Sequence, residues 1–132
     1  MRIGLGSWKE REALLVLLVA LHSYGVGLIL MFASGFAMRF GGWGDQGTLF
    51  FTRQGGVFHF IVATLYLIDY FRRDSILPIV LAKSIAVIFL VALAVMGEPW
   101  AVWFSGTVDA LMLVSVLAIR ILSRSRRDAD AA

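Results

Sequence analysis

The sequence contains no cysteine. That absence excludes disulfides, thiolate metal sites, cysteine nucleophiles and c-type haem attachment. Charge is scarce too: 16% of the 132 residues are charged and 60% are hydrophobic. A soluble domain is usually about a quarter charged and about half apolar. The motifs of soluble enzymes are also missing, with no phosphate-binding glycine loop, no HExxH and no serine–histidine–aspartate ordering around a nucleophile turn. The cluster Gly41-Gly42-Trp43-Gly44 lacks the strand and helix that make a glycine run a nucleotide site.

What the chain has in excess is apolar surface, and its mean hydropathy is +0.85. So short a chain has too little core to hide that surface. Lipid is the solvent that removes the problem. A net charge of +3 and a pI near 9.8 could point to nucleic acid. The basic residues, however, sit in short clusters between apolar runs, which is membrane topology and not a phosphate-binding stripe, so no nucleic-acid partner is expected. Arg2, Lys9 and Arg11 precede the first apolar run as they would in a signal peptide. That run extends from Ala13 to about Ala33 and further runs follow it, so it reads as a retained first helix.

Four apolar segments, at about residues 13–34, 52–71, 76–96 and 100–122, each have the roughly 20 residues that span a hydrocarbon core. Backbone groups in lipid must be satisfied within the segment, so helices are expected. Residues 1–132 therefore read as one all-α membrane domain, an antiparallel bundle of four transmembrane helices joined by two tight turns and one longer connection. That connection, about 35–51, should lie on the outer membrane surface with one interfacial turn, and the tail 123–132 should be cytoplasmic, fraying from Asp128. Arg2, Lys9, Arg11, Arg72, Arg73, Arg124, Arg126 and Arg127 fall on one side, against Arg39 and Arg53 on the other. The positive-inside rule then places both termini in the cytoplasm, with Trp43, Trp100 and Trp103 at the outer interface and Trp8 at the inner one.

Each span carries one strongly polar candidate: His22, His59, Lys83 and Asp109. At ~1.5 Å per residue from the outer helix ends, they lie about 18, 10, 21 and 14 Å deep. Such residues usually face a bundle interior, so the four are expected to share one polar layer. Either Lys83 or Asp109 alone would cost at least ~2.5–3.5 kcal/mol near mid-membrane, which makes them the expected ion pair, structural or part of a proton relay. On the second span Gly55, Gly56 and Ala63 form a small-residue face that admits another backbone near His59. His59 there would bond a carbonyl, Tyr24 or Asp109, or hold haem, a metal or a proton. Tyr66 and Ser105 are supporting candidates. Ala20, Ser23, Gly27 and Ser34 form a matching face on the first span. Arg120 is expected to snorkel to lipid phosphates, and Arg53 and Glu98 to meet in an outer vestibule.

Arg53-Gln54-Gly55-Gly56, opening the second of four compact spans, resembles the DoxX-like families of short bacterial four-helix membrane proteins. The resemblance implies a bacterial inner-membrane location and a loose link to respiratory or redox complexes. Three functions follow as expectations. The first is a non-enzymatic accessory or scaffold subunit, partnered by lipid and by other membrane proteins or copies of itself. The second is a homo-oligomeric proton-coupled carrier or channel. The third is a redox subunit binding quinone, or haem b between His22 and His59.

Overall fold

A computed structural model describes residues 7–130, with side chains described from Ser7 to Ser125. The chain is all-helical: α1 Trp8–Phe32, α2 Ser34–Gly41, α3 Phe50–Arg73, α4 Leu77–Val95 and α5 Trp100–Asp130. Arg2, Arg126 and Arg127, used above to orient the chain, lie outside the described side chains.

Local chemistry sets the boundaries. Ser7 and Glu10 form a reciprocal capping box at the start of α1, each side chain accepting from the other residue's backbone N–H. The first helix therefore begins five residues before the apolar run, because capping and not hydropathy decides where a helix starts. It breaks at Ala33, and Ser34 Oγ donates to the Leu30 carbonyl at 2.6 Å. The expected surface connection 35–51 thus holds an eight-residue helix, closed by Gly42 in the left-handed region at φ 99°. Asp74, at φ 52°, ends α3, its backbone N–H donating to the Tyr70 carbonyl and that of Ser75 to the Asp69 carbonyl. Pro78 sits in the first turn of α4, where its missing N–H costs nothing. Gly97, at φ 94°, turns the chain into α5. The tail expected to fray from Asp128 continues α5 as far as Asp130.

The long helices form a ring in which each packs on its sequence neighbour in space: α1 on α3, α3 on α4, α4 on α5 and α5 on α1. The start of α1 meets the ends of α3 and α5 through Lys9–Asp74 and Glu12–Arg120 contacts, so ring neighbours run antiparallel. That end of the molecule is called proximal below, and the end carrying α2 distal. The α1–α3 seam is tightest at Gly27 and Gly56. A Cβ added to Gly56 would lie 2.7 Å from the Gly27 carbonyl oxygen, and one on Gly27 would lie 2.9 Å from that of Gly56. The backbones approach as small-residue faces allow. The α3–α4 seam is the least extensive of the four.

Side chains are arranged with the apolar surface outward. The buried core is small, built on Val16, Val19, Ala63, Tyr66, Ile79 and Val116. Phe32, Ile88 and Leu111 are among many large apolar residues left exposed. Among the described residues three helices are long and apolar enough to cross a membrane: α1, α4 and residues Trp100–Ser125 of α5. The chain thus has the character of a membrane protein. Its second expected span, α3, has the length at 24 residues but is not among these three. Gln54, Gly55, Gly56, His59 and Asp69 dilute its apolar character, and these include the residues that build the interior described next.

Candidate functional site

Four helices each place a polar side chain on one interior cavity of about 300 Å³. α3 supplies Gly55, Phe58, His59 and Tyr66, α4 supplies Lys83, α5 supplies Asp109 and α1 supplies Ser23. The cavity lies chiefly at the α3–α4 seam, where Gly55 has nothing within 4 Å of an added Cβ. Small residues there leave space instead of closing it.

Lys83 is 3% exposed, and its ammonium donates to Asp109 Oδ1 at 2.5 Å. The lysine stem spans the difference in depth between the two helices, as its length permits. Burial without the partner would leave a bare charge in an apolar interior, so each residue requires the other. Because the pair is internally neutral, it presents donors and acceptors to the cavity with no net charge. Lys83 retains two further N–H donors and Asp109 a second carboxylate oxygen.

Two other polar atoms on this cavity are unused. Ser23 is 1% exposed, and neither its Oγ nor His59 Nδ1 has a hydrogen-bond partner among the described residues. A buried polar group without a partner costs about 1–3 kcal/mol, so native interiors rarely keep one unless something else fills the need. His59 lies within electrostatic reach of Lys83, Asp109 and His22, and Tyr66 within reach of Asp109.

Other expected site residues fall elsewhere. His22 is half-buried beside the group but does not line the cavity, so the two imidazoles do not face one space. Tyr24 does not bond His59; its hydroxyl shares a 2.8 Å hydrogen bond with Thr64, whose own hydroxyl meets the Phe60 carbonyl. Ser105 is exposed and does not line the cavity. Arg53 and Glu98 do not meet: the Trp43 indole N–H donates to Glu98 at 3.0 Å, while Arg53 lines a separate groove. Among the described residues no group of three or more His, Asp or Glu is placed to hold a metal ion.

A second polar cluster at the proximal end was not expected. Arg120 is 6% exposed and donates to Glu12 at 2.6 Å, to the Asp74 carboxylate at 3.0 Å and to the Asp74 backbone carbonyl. Lys9 pairs with Asp74, approaches Glu12 at 3.5 Å and lies 4.8 Å over the Tyr70 ring. The Arg120 side chain therefore turns inward instead of snorkelling to phosphates. Its guanidinium gathers the termini of three helices. The Lys9 hydrogen bond, helped by Arg120, holds the Asp74 carboxyl well below the usual range, down to about 2. The signal for this cluster was Glu12, which occupies the same helical stripe as Val16, Val19, Ser23 and Gly27 and so faces inward. A buried carboxylate on that stripe required a cation from another helix.

A further cavity of about 310 Å³ between α4 and α5, around Leu90, Val102, Gly106 and Val114, bears no ionisable side chain. Comparison of the chain with protein-family models, with curated proteins and with solved structures finds no match to any of them.

Proposed function

We propose that this chain is a four-span protein of a bacterial inner membrane whose interior cavity binds the uncharged, ring-sized polar head of a lipid-soluble molecule. In this reading it is a non-catalytic binding subunit of a larger membrane assembly, and a quinone or quinol is the ligand class. The observation that carries the proposal is the pair of unused buried polar atoms, Ser23 Oγ and His59 Nδ1, on a cavity shared with the Lys83–Asp109 pair. The neutrality of that pair disfavours a charged ligand. Its remaining donors and acceptor, with the serine hydroxyl and the imidazole, match a ring bearing two oxygens. The volume stands at the lower end of small-molecule sites, about 300–1,000 Å³. Phe58 lines the cavity and is itself 57% exposed, so the space reaches the molecular surface, where a membrane protein meets acyl chains. The DoxX-like outline of the chain agrees with a place near redox complexes. In this topology α3 crosses the membrane with His59 and Tyr66 turned to the ring interior.

The test is binding to purified protein in lipid nanodiscs, measured calorimetrically with a short-chain quinone and its quinol. Saturable binding to wild-type protein is expected, weakened about five- to tenfold in Ser23→Val and in His59→Leu, since each removes a hydrogen bond worth about 1–1.5 kcal/mol. Absence of saturable binding, or binding by both variants as tight as wild type, removes the proposal. Cross-linking in native membranes tests the subunit role: recovery of the chain with no neighbour counts against it.

A second reading, proton-coupled transport by a homo-oligomer, draws support from His22, His59, Lys83 and Asp109 lying within electrostatic reach of one another. Proteoliposome uptake driven by a pH gradient, lost in a still-folded Asp109→Asn variant, is the result that would favour it over simple binding.

A further inference from the structure

A groove of about 770 Å³ lies at the distal end, between the end of α1, the residues before α3 and the first turns of α3. Phe32, Phe50, Val57 and Phe58 form apolar walls, and Arg53 and Gln54 stand on it as polar groups. It adjoins the interior cavity, with which it shares only Phe58, but none of its polar groups belongs to that site.

The other charged side chains at this end have partners within the chain. Arg39 pairs with Asp45 at 3.0 Å, and Glu98 accepts from the Trp43 indole at 3.0 Å. Arg53 is the exception: among the described residues no carboxylate lies within ion-pair distance of it, and it stands against an aromatic wall. Phe32 is 79% exposed and Phe50 63%, exposure that acyl chains relieve and water does not. A planar guanidinium with its fork of N–H groups open is the side chain best suited to a phosphate.

From these we infer that the groove is a binding site for one anionic phospholipid, its phosphate on Arg53 and an acyl chain along the Phe32–Phe50–Val57 wall. A soluble anion would leave that wall uncovered. A zwitterionic lipid brings a cation for which the groove lining offers no carboxylate. Gln54 offers an amide to the ester or glycerol oxygens of the same lipid. The bound lipid covers the outer side of Phe58 and so stands beside the interior cavity without entering it.

The experiment is native mass spectrometry of the full chain released from nanodiscs of equal phosphatidylglycerol and phosphatidylcholine. Wild-type protein is expected to retain phosphatidylglycerol about tenfold over phosphatidylcholine, the worth of one charge-assisted hydrogen bond. Arg53→Gln brings that ratio close to one, and Arg53→Lys keeps part of it. Arg72→Gln, at the proximal end, leaves it unchanged. The inference is overturned by equal retention of the two lipids in wild-type protein, by an unchanged ratio in Arg53→Gln, or by an equal loss in Arg72→Gln. Displacement by inorganic phosphate alone also overturns it, since the chain would then contribute nothing. Arg53 is exposed and makes no intramolecular ion pair, so its variants fold, and quinone binding measured on the same samples separates this site from the interior one.

Discussion

Ser23 and His59 matter for what they leave undone, whereas Lys83 and Asp109 matter for what they complete. Removing one member of a buried ion pair strands the other charge. Lys83→Met is therefore expected to destabilise the protein by about 3 kcal/mol or more, while Lys83→Met combined with Asp109→Leu recovers most of the loss. Detergent-induced unfolding followed by circular dichroism checks this, and additive losses in the double variant would show that the pair is not coupled. Two adjacent glycines give a sharper contrast. Gly56→Ala pushes a methyl group to 2.7 Å from the Gly27 carbonyl and should cost about 1–3 kcal/mol as the α1–α3 seam opens. Gly55→Ala meets open space and gains up to about 1 kcal/mol of helix propensity. Equal stability of the two variants in the same assay would contradict the close backbone approach. Glycine content at this point of the chain was legible in the sequence. Which glycine touches α1 and which one lines the cavity was not, because adjacent residues differ by a 100° rotation that only the packed partner resolves.

At the scale of elements, the proximal cluster joins α1, α3 and α5 through Arg120. Arg120→Met leaves Glu12, fully buried, with only the more distant Lys9 at 3.5 Å, and a loss of about 3 kcal/mol is expected, read as a lowered midpoint in the same unfolding assay. The cluster also makes stability depend on acid. The Asp74 carboxyl ionises at about 2 in the folded protein against 3.8 for an unconstrained carboxylate. A depressed folded value means that the unfolded chain takes up the proton first, so this contribution is complete above about pH 4 and disappears as pH falls toward 2. Unfolding midpoints measured between pH 5 and 2 should fall in the wild type and flatten in Asp74→Asn, which lacks the titrating group. The long helices themselves could be read from apolar runs, yet their ends could not. The Ser7–Glu10 capping box extends α1 into charged sequence, and the Arg120 bracket draws inward a residue that hydropathy alone sends to the lipid surface.

At the scale of the molecule, an outward apolar surface over a small polar-lined interior is what lipid as solvent requires. The long helix outside the three apolar enough to cross, α3, decides the topology. If it crosses, the loop containing Asp45 and the turn at Gly97 share one side while Arg73 lies on the other. A chain with no cysteine makes this direct to test, since each introduced thiol is unique. Asp45→Cys and Gly97→Cys should be labelled from outside intact spheroplasts by a membrane-impermeant maleimide, and Arg73→Cys only after lysis. Labelling of Arg73→Cys together with Asp45→Cys from the same side would show that α3 does not cross.

By itself the sequence determined the solvent of this protein, its helical class and the short set of polar residues that could meet inside it. Those follow from composition and from runs of apolar residues, which act locally. Tertiary structure decided which of them meet: His59, Lys83, Asp109 and an unexpected Ser23 on one cavity, Glu12 with Arg120 and Asp74 at the proximal end, and Arg53 apart from Glu98. The reason is rotational. Depth along a helix is counted from residue numbers, but the direction in which a side chain points is set by the neighbour that its helix packs against.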